Sequence, residues 1–379
     1  MESAYTLRLE KIEAVLRKAL PEEPDPAWTA RTFLSPPPCG NRSDDGGAAA
    51  LLSAACITPK EAPLGLTQPA LDLLGRGGKR WRPLLMVLVC ESLGGGDGAL
   101  PLSPLVEFPH NASLIHDDIE DNSDERRGKP AIHLIYGTDT AINSGCFLYF
   151  LPLACIESWD APAERKNALY ALWGLYMRRL HLGQAMDIRW HREPAFFPEI
   201  EAYYTMCRLK TGCLSGLSAV LGVRAAFARH AAPPDSLEQR LGDAAEKLGV
   251  GFQILDDVKN LTTGLPGKKR GDDIVEGKKS LPVLLFIRGD RSREALVTRC
   301  FSAARAQGIA ATEVEELICA LRGAGVLEEA EAQGRALIRE ASGVLAGAGH
   351  SGTEASFSGI RGDPAARRLL GKLGELLIG

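Results

Sequence analysis

The sequence predicts an all-α fold, a bundle of long helices. Over residues 69–341 apolar side chains recur at spacings of three and four, which is the period of an amphipathic helix. Strand-like alternation is nearly absent, and clusters of β-branched residues are few. The 379 residues are 45% hydrophobic and 24% charged, which is typical of a globular protein with a sizeable core.

The helical pattern begins at the N-terminus and is then interrupted. Tyr5, Leu9, Ile12 and Leu16 predict an amphipathic helix over residues 4–20. The following segment contains PEEPDP, SPPPCGNRSDDGG and the small-residue run GAAALLSAA. Proline, glycine and serine at this density predict a loop or a partly disordered insert over residues 21–65.

From residue 69 onward the pattern predicts helix after helix, separated by glycine and proline. Residues 343–363 are rich in glycine and serine and predict a loop before a short terminal helix. The expected division is residues 1–65, a large helical domain over 66–342, and 343–379. The predicted helical windows are 80–93, 104–123, 138–157, 164–190, 197–228, 235–261, 279–287, 291–306, 312–322, 327–345 and 364–377.

Charge and cysteine content exclude several classes of protein. The 44 Lys and Arg residues against 48 Asp and Glu give a net charge of −4, which argues against binding nucleic acid through bulk charge. The nine cysteines form no CxxC pair, which argues against a disulfide framework or a zinc site. The N-terminus has no apolar signal core, and the apolar run 146–156 is short for a bilayer. We expect a cytoplasmic protein.

Two acidic clusters follow apolar helical stretches. The first is HDDIED, with Asp117 and Asp121 one turn apart, and the second is LDDVKN, with Asp256 and Asn260 at the same spacing. Stacked carboxylates repel each other unless a cation lies between them, and hard oxygen ligands suit Mg²⁺. One such cluster alone is as consistent with a solvated helix end as with a metal site. Two such clusters on apolar helices favour a metal site. Because Mg²⁺ completes its shell with phosphate oxygens, we expect a diphosphate substrate.

Basic side chains occur beside these clusters. A basic group considered alone is more often part of a solvated surface. The position of these groups beside acidic clusters favours the binding of diphosphate instead. His110 precedes Asp117 by two turns, with a satisfied core histidine as the alternative. Further polar groups on apolar helices are Gly183, Gln184, Asp187 and Gln253. The basic groups are Lys79 and Arg82, Arg126 and Arg127, Lys210 with Thr211, and Lys268 and Lys278.

These motifs resemble those of the trans-isoprenyl diphosphate synthases, the polyprenyl synthetase family. GGKRWRP, SLIHDDIEDNSDERRGKP, GQAMD, LKTG, FQILDDVKN and GKKRGDDIVEGKKSLP follow one another in the family's order, over residues 66–285. The resemblance implies the isoprenoid synthase fold, a large helix bundle around a deep central cavity. It implies a prenyltransferase that joins isopentenyl diphosphate to an allylic diphosphate with the help of three Mg²⁺ per site. It also implies a homodimer, and the lipid-like product implies transient membrane contact.

The resemblance implies a role for each matching residue. Asp117, Asp121, Asp256 and Asp257 are the implied metal ligands. The implied catalytic set is Asp117, Asp118, Asp121, Asp256, Lys210 and Lys268. The implied ligands of isopentenyl diphosphate are Lys79, Arg82, His110 and Arg127. The implied ligands of the allylic diphosphate are Arg126, Lys210, Thr211, Gln253, Lys268 and Lys278.

Product length depends on the residues before the first acidic cluster. Ala112 and Ser113 are small, so they leave room for a long chain, whereas Phe147, Tyr149 or Phe150 would form the floor. We therefore expect a C20 product, geranylgeranyl diphosphate, with farnesyl and longer polyprenyl products as alternatives. Asn260 replaces an aspartate that many members have, which leaves its metal role open.

Three other functions are less consistent with these motifs. A class I terpene cyclase of this fold would not need GGKRWRP and would carry a different second motif. A non-catalytic synthase subunit would lack aspartates that are present here. A metal phosphohydrolase would need spaced histidine ligands, and the seven histidines do not form that pattern.

Overall fold

The computed structural model describes residues 2–33, 64–229, 233, 235–264, 269–347 and 362–378. Within these ranges the fold is all-α, as the sequence predicts. Three short 3₁₀ turns span Gly96–Leu102, Arg291–Arg293 and Gly308–Ala310, and one π-helical turn spans Arg208–Gly212. The α-helices are α1 Glu2–Ala19, α2 Pro26–Phe33, α3 Leu64–Gly75, α4 Trp81–Ser92, α5 Pro104–Glu120, α6 Ile132–Tyr136, α7 Thr138–Phe150, α8 Leu153–Ser158, α9 Ala163–Arg192, α10 Ile200–Cys207, α11 Cys213–Ala226, α12 Asp235–Thr262, α13 Asp272–Glu276, α14 Leu281–Gly289, α15 Glu294–Gln307, α16 Thr312–Gly323, α17 Val326–Leu345 and α18 Pro364–Ile378.

The chain divides into two compact units. The first unit comprises Met1–Leu84 and Gly98–Tyr170. In it α5 and α3 both pack on α7, and α1 packs on α5. Ile12 and Leu16, at the apolar spacing read from the sequence, are fully buried. Burial of such an apolar face stabilises a helix that would be marginal in isolation.

A small β-hairpin follows α5 in the first unit. Strand β1, Glu125–Arg126, pairs antiparallel with β2, Lys129–Pro130, and Arg126 lies opposite Lys129. The two connecting residues, Arg127 and Gly128, both have positive φ, 55° and 75°. This is the backbone of a tight two-residue hairpin turn, which fixes the direction in which Arg126 and Arg127 leave the backbone.

The second unit comprises Leu85–Asp97 and Ala171–Gly379. Its longest contact runs between α12 and α17, and α11 packs on the other side of α12. Gly251 and Gly334 allow the first contact, because an added Cβ on Gly251 would lie 2.7 Å from the carbonyl oxygen of Gly334. Tyr203 and Phe301 are among the largest fully buried side chains of this core.

The structure differs from the predicted elements at a few places. Residues 26–33 form helix α2 inside a segment expected to be a loop. Their alanine and aromatic residues, and Asp25 accepting a hydrogen bond from the Trp28 amide at 2.6 Å, explain the short helix. The rest of that expected loop, 34–63, lies outside the described residues, as do most of residues 343–363. The terminal helix α18 is confirmed.

One apolar stretch, Thr138–Ser158, is long and apolar enough to cross a membrane, with a mean hydropathy of 1.3. It comprises α7 and α8, and 44% of it is buried within the protein. A core helix of a soluble protein has the same length and composition, so this is weak evidence for a membrane span.

Candidate active site

The first acidic cluster lies at the C-terminal end of α5. Asp117 and Asp121 are half-buried and one helical turn apart, so both carboxylates lie on one side of the helix. Among the described residues no three His, Cys, Asp or Glu side chains are grouped closely enough to hold a metal by themselves. Mg²⁺ is commonly held by one or two carboxylates together with water and substrate phosphate. The oxygen donors of this pair therefore fit Mg²⁺ in the presence of a diphosphate.

Asp118 has a different position from its neighbours. It is fully buried, and its Oδ1 accepts a hydrogen bond from Nε of Arg126 at 2.8 Å and another from Nη2. Burial raises the pKa of Asp118, and the Arg126 guanidinium opposes that shift. Asp118 thus ties the hairpin to α5. Asp118 also positions Arg126, one of the predicted ligands of the allylic diphosphate, and its expected catalytic role stays a prediction.

The GGKRWRP segment forms a strained turn before α4. Gly77, Gly78 and Arg80 have φ values of 85°, 137° and 45°, and only glycine adopts this region without cost. Lys79 is exposed, whereas Arg82 is buried at the start of α4 with its guanidinium 4.6 Å from the Trp81 ring. Lys79 and Arg82, two of the four predicted ligands of isopentenyl diphosphate, are therefore placed by one short turn.

Positive charge is concentrated around His110. Its pKa lies well below the usual value because of burial and because of the charges of Arg82, Arg127 and Arg80. His110 is therefore neutral near pH 7 and is both a hydrogen-bond donor and an acceptor. The pKa of Arg127 is lowered to about 10 by burial and by Arg80. The structure brings Arg82, His110 and Arg127 together, and their excess positive charge suits an anion.

Arg127 also holds the glycine turn in place. Its Nη1 donates to the carbonyl oxygen of Leu73 at 3.1 Å and to that of Gly77. These bonds join the hairpin to the turn that carries Lys79 and Arg82. Arg127 thus has a supporting role besides the predicted binding of isopentenyl diphosphate.

In the second unit the LKTG motif forms the π-helical turn. Nζ of Lys210 donates to Oδ2 of Asp187 at 2.6 Å, and Nε2 of His191 lies 2.7 Å from Oδ1 of the same carboxylate. Burial alone would raise the pKa of Asp187, but the charges of Lys210 and His191 hold it well below its usual range. π-turns inside α-helices are frequent at functional sites. Lys210, a predicted ligand of the allylic diphosphate, is thus in direct contact with Asp187.

Gly183 allows helix α9 to approach this turn. A Cβ at position 183 would lie 2.7 Å from the carbonyl carbon of Leu209 and 2.8 Å from its Cβ, and closer still to the backbone nitrogen of Lys210. Only glycine fits a backbone approach of this kind. Because Gly183 has no side chain, α9 can approach the π-turn closely. This approach places Asp187, one helical turn after Gly183, opposite Lys210.

The second acidic cluster takes part in a hydrogen-bond chain. The Tyr203 hydroxyl donates to Oδ2 of Asp257 at 2.7 Å, and Nε2 of Gln253 donates to Oδ1 at 2.9 Å. The Thr211 hydroxyl in turn donates to Oε1 of Gln253 at 2.8 Å. Both carboxylate oxygens of Asp257 thus accept a hydrogen bond within the protein, and its expected role as a metal ligand stays a prediction. Burial and the charge of Asp273 raise its pKa to about 7.

Asp256 and Asn260 have separate environments. Asp256 is half-buried, and its carboxylate oxygens are of the type that suits a hard cation. Asn260 is fully buried, accepts from the Asp273 amide at 3.2 Å, and donates to the carbonyl oxygen of Lys269 at 3.4 Å. These bonds hold the start of α13 against α12, so Asn260 stabilises the fold here.

Two lysines follow the second cluster. Nζ of Lys278 lies 2.7 Å from Oε2 of Glu276 and 3.4 Å from Oδ1 of Asp273. Lys279 is buried between Phe197 and Phe301, with Nζ 4.4 Å from the Phe301 ring centroid, and burial lowers its pKa to about 7. Lys268, the other predicted ligand of the allylic diphosphate, lies outside the described residues.

The residues expected to set product length lie on α5 and α7. Ala112 is fully buried and Ser113 half-buried, with its hydroxyl bonded to the carbonyl oxygen of His110 at 2.8 Å. Phe147 stacks on Phe33, and Tyr149 is stacked on His116 at 5.8 Å between centroids. Phe150 is 67% exposed in the single chain, and its expected place in a floor stays a prediction.

Several supporting residues lie outside the sequence-based predictions. Glu107 is 2% exposed and accepts from Arg80 at 2.8 Å and from Asn111 at 3.1 Å. Glu246 is 3% exposed, lies 2.6 Å from Arg179, and accepts from Arg208 at the start of the π-turn. The sequence contained one signal for these two residues: each is a carboxylate on the apolar face of a predicted helix. A buried carboxylate is normally paired with a cation, so such a position predicts an ion pair.

The sequence profile described as polyprenyl synthetase matches residues 64–318, two thirds of the chain. This chain belongs to the polyprenyl synthetase family. A relative from Aeropyrum pernix named geranylfarnesyl diphosphate synthase is 33% identical over 246 residues, which are 63% of this chain and 74% of the relative. One from Neocamarosporium betae named geranylgeranyl pyrophosphate synthase is 37% identical over 228 residues, 59% of this chain and 62% of the relative. The chain thus spans less than two thirds of that second relative.

Solved structures of the family are similar to most of this chain. The geranylgeranyl pyrophosphate synthetase of Pyrococcus horikoshii has a TM-score of 0.70 at 28% identity, covering 84% of this chain and 91% of that one. That of Geoglobus acetivorans has a TM-score of 0.65 with the same identity and coverage. The predicted isoprenoid synthase fold and the family's activity class, trans-isoprenyl diphosphate synthesis, are confirmed.

Proposed function

We propose that this enzyme condenses isopentenyl diphosphate with dimethylallyl, geranyl or farnesyl diphosphate to form geranylgeranyl diphosphate. The observation that carries the proposal is the cluster of Arg82 and Arg127 around neutral His110, which lies on helix α5, at whose C-terminal end Asp117 and Asp121 lie. Cations for one diphosphate and carboxylates for a metal-bound one are what the joining of two diphosphate substrates requires.

Mg²⁺ is the proposed cofactor, with three ions per site implied by the family's motifs. Asp117, Asp121 and Asp256 would hold it, because each is a half-buried carboxylate and oxygen donors suit a hard cation. When bound, the metal would neutralise charge on the departing diphosphate. Removal of divalent cations with EDTA should abolish turnover, and added Mg²⁺ should restore it.

The side chains of this protein have separate tasks in the proposed reaction. Lys210, Thr211 and Lys278 bind the allylic diphosphate as its C–O bond breaks and the bonding electrons leave with the diphosphate. Lys79 and Arg82 hold isopentenyl diphosphate while its double bond forms the new C–C bond. The diphosphate that has left accepts the proton that is then lost. Apolar helices exclude water, which would otherwise capture the allylic cation.

The proposed C20 product rests on the small residues before the first cluster. Ala112 is fully buried one turn before His116 and Asp117, so the growing chain meets no large side chain there. Substitution Ala112→Phe should shorten the product, and an unchanged product distribution would exclude this residue as a determinant of length. A relative named for a C25 product supports a longer chain as an alternative. Farnesyl diphosphate is the alternative at shorter length.

The decisive experiment is incubation of the full chain with isopentenyl diphosphate, Mg²⁺ and a C5, C10 or C15 allylic primer. Chromatography of the dephosphorylated products measures their length. We expect C20 as the main product from each primer. The absence of elongation from all three primers would refute the proposed activity.

We also propose a cytoplasmic homodimer that contacts membranes transiently to release its product. Exposed apolar side chains on α6 and α7 support a protein interface: Leu134, Ile135 and Ile142 are 44–55% exposed. Light scattering after size exclusion should give twice the chain mass of 40.7 kDa. Cell fractionation tests the location, and the domain boundaries remain a prediction.

A further inference from the structure

We propose that helix α1 is part of the isopentenyl diphosphate site, because Glu13 on α1 positions the GGKRWRP turn through Arg80. This inference rests on the function proposed above. It assigns Glu13 and Arg80 as positioning residues. It also gives a functional role to a helix that lies outside the residues matched by the family profile, 64–318.

Arg80 is held from several sides. Its Nε donates to Oε1 of Glu13 at 2.7 Å, and its Nη1 donates to Oε1 of Glu107 at 2.8 Å. Nη2 donates to the carbonyl oxygen of Leu74 at 2.6 Å, and Nη1 also reaches that of Gly77 at 3.2 Å. The side chain is therefore clamped between α1, α5 and the end of α3.

The clamp holds a backbone conformation that Arg80 would not adopt by itself. Its φ of 45° lies in the left-handed region, where a Cβ is disfavoured. Such conformations persist where surrounding contacts over-determine them. Since Lys79 precedes Arg80 directly and Arg82 follows two residues later, relaxation of Arg80 would move both predicted diphosphate ligands.

Glu13 is needed to compensate the positive charge around Arg80. Arg80 lies among other cations, and it helps to lower the pKa of Arg127 and of His110. Glu107 compensates part of this charge, but its Oε1 also accepts from Nδ2 of Asn111. Glu13 is the second carboxylate on Arg80, and its side chain is only 35% exposed, so solvent screens the pair incompletely.

The test compares Glu13→Gln with Glu10→Gln in the full chain. Both remove one negative charge from α1, but Glu10 is exposed to solvent, whereas Glu13 is bonded to Arg80. For Glu13→Gln we expect the KM for isopentenyl diphosphate to rise about tenfold, the size expected from losing one charge-assisted hydrogen bond. The KM for the allylic diphosphate and kcat should remain within twofold, and Glu10→Gln should equal the wild type.

A third variant, Glu13→Asp, keeps the charge and should recover part of the lost affinity. Calorimetry with isopentenyl diphosphate alone gives the same comparison without turnover, and thermal unfolding shows that each variant is folded at the assay temperature. The inference is overturned if Glu13→Gln equals Glu10→Gln, if both KM values rise together, or if Glu13→Asp recovers nothing. A wild-type chain that elongates no primer would instead refute the proposed function.

Discussion

Substitution Gly183→Ala tests how closely α9 must approach the π-turn. The new Cβ would lie 2.7 Å from the carbonyl carbon of Leu209, whereas ordinary contact starts at 3.4 Å. Helix and turn must therefore separate by roughly 0.7 Å or more at backbone atoms, which do not rotate aside. Overpacking of this kind costs about 1–3 kcal/mol. The same shift lengthens the 2.6 Å contact between Lys210 and Asp187.

The expected result is a loss of activity together with a loss of stability. A displacement of about 1 Å at a positioning group can reduce turnover about a hundredfold. We therefore expect kcat/KM for the allylic diphosphate to fall between tenfold and about a hundredfold. Steady-state kinetics at saturating isopentenyl diphosphate measures this ratio, and urea denaturation measures the free energy of unfolding.

Gly174→Ala is the matched control on the same helix. A Cβ at position 174 would meet only Nη1 of Arg178, at 3.6 Å, which is an ordinary contact. Replacement of an unstrained helical glycine by alanine should stabilise the protein by about 0.5–1 kcal/mol and leave kcat/KM unchanged. Wild-type kcat/KM in Gly183→Ala would refute the reasoning, and equal losses in the two variants would refute it as well.

Three further predictions concern other groups. Lys279→Met should stabilise the protein most below pH 7, because the wild type then buries a charge; above its pKa of about 7 the folded lysine is neutral. Urea unfolding should show this advantage falling by at most about 1.4 kcal/mol per pH unit from pH 7 to pH 10, and a pH-independent difference would contradict it. Tyr203→Phe leaves Oδ2 of Asp257 without its donor and should cost about 1–3 kcal/mol of unfolding free energy, with a loss below 0.5 kcal/mol as the contrary result. Asp117→Ala should abolish turnover, whereas Arg82→Ala should mainly raise the KM for isopentenyl diphosphate; steady-state kinetics that show the opposite pattern would reverse the assignments.

The helices were predictable from the sequence because burial of an apolar face dominates their stability. Ile12 and Leu16 illustrate this, since their spacing alone predicts the face that α1 buries. The helix α2 was missed because its eight residues are too short for periodicity to outweigh the prolines around it.

Within the site, residue type was predictable and side-chain role was not. Asp256 and Asp257 are adjacent in the sequence, yet Asp257 is buried with its carboxylate bonded to Tyr203 and Gln253, whereas Asp256 is half-buried. Adjacent residues on a helix point about 100° apart, so their surroundings depend on packing partners that are distant in the chain. Arg80 is a similar case, because a left-handed arginine depends on carboxylates 67 and 27 residues away.

The π-helical turn Arg208–Gly212 also constrains the length of the chain. A π-turn contains an extra residue relative to an α-turn, so the helical faces before and after it differ in phase by about 100°. Deletion of a single residue here would let α10 and α11 merge into one regular helix. The merged helix would turn the Tyr203 hydroxyl away from Asp257. This would happen even if every residue of the turn were a good helix former. Members of this family that share the turn should therefore tolerate substitutions in it far better than insertions or deletions.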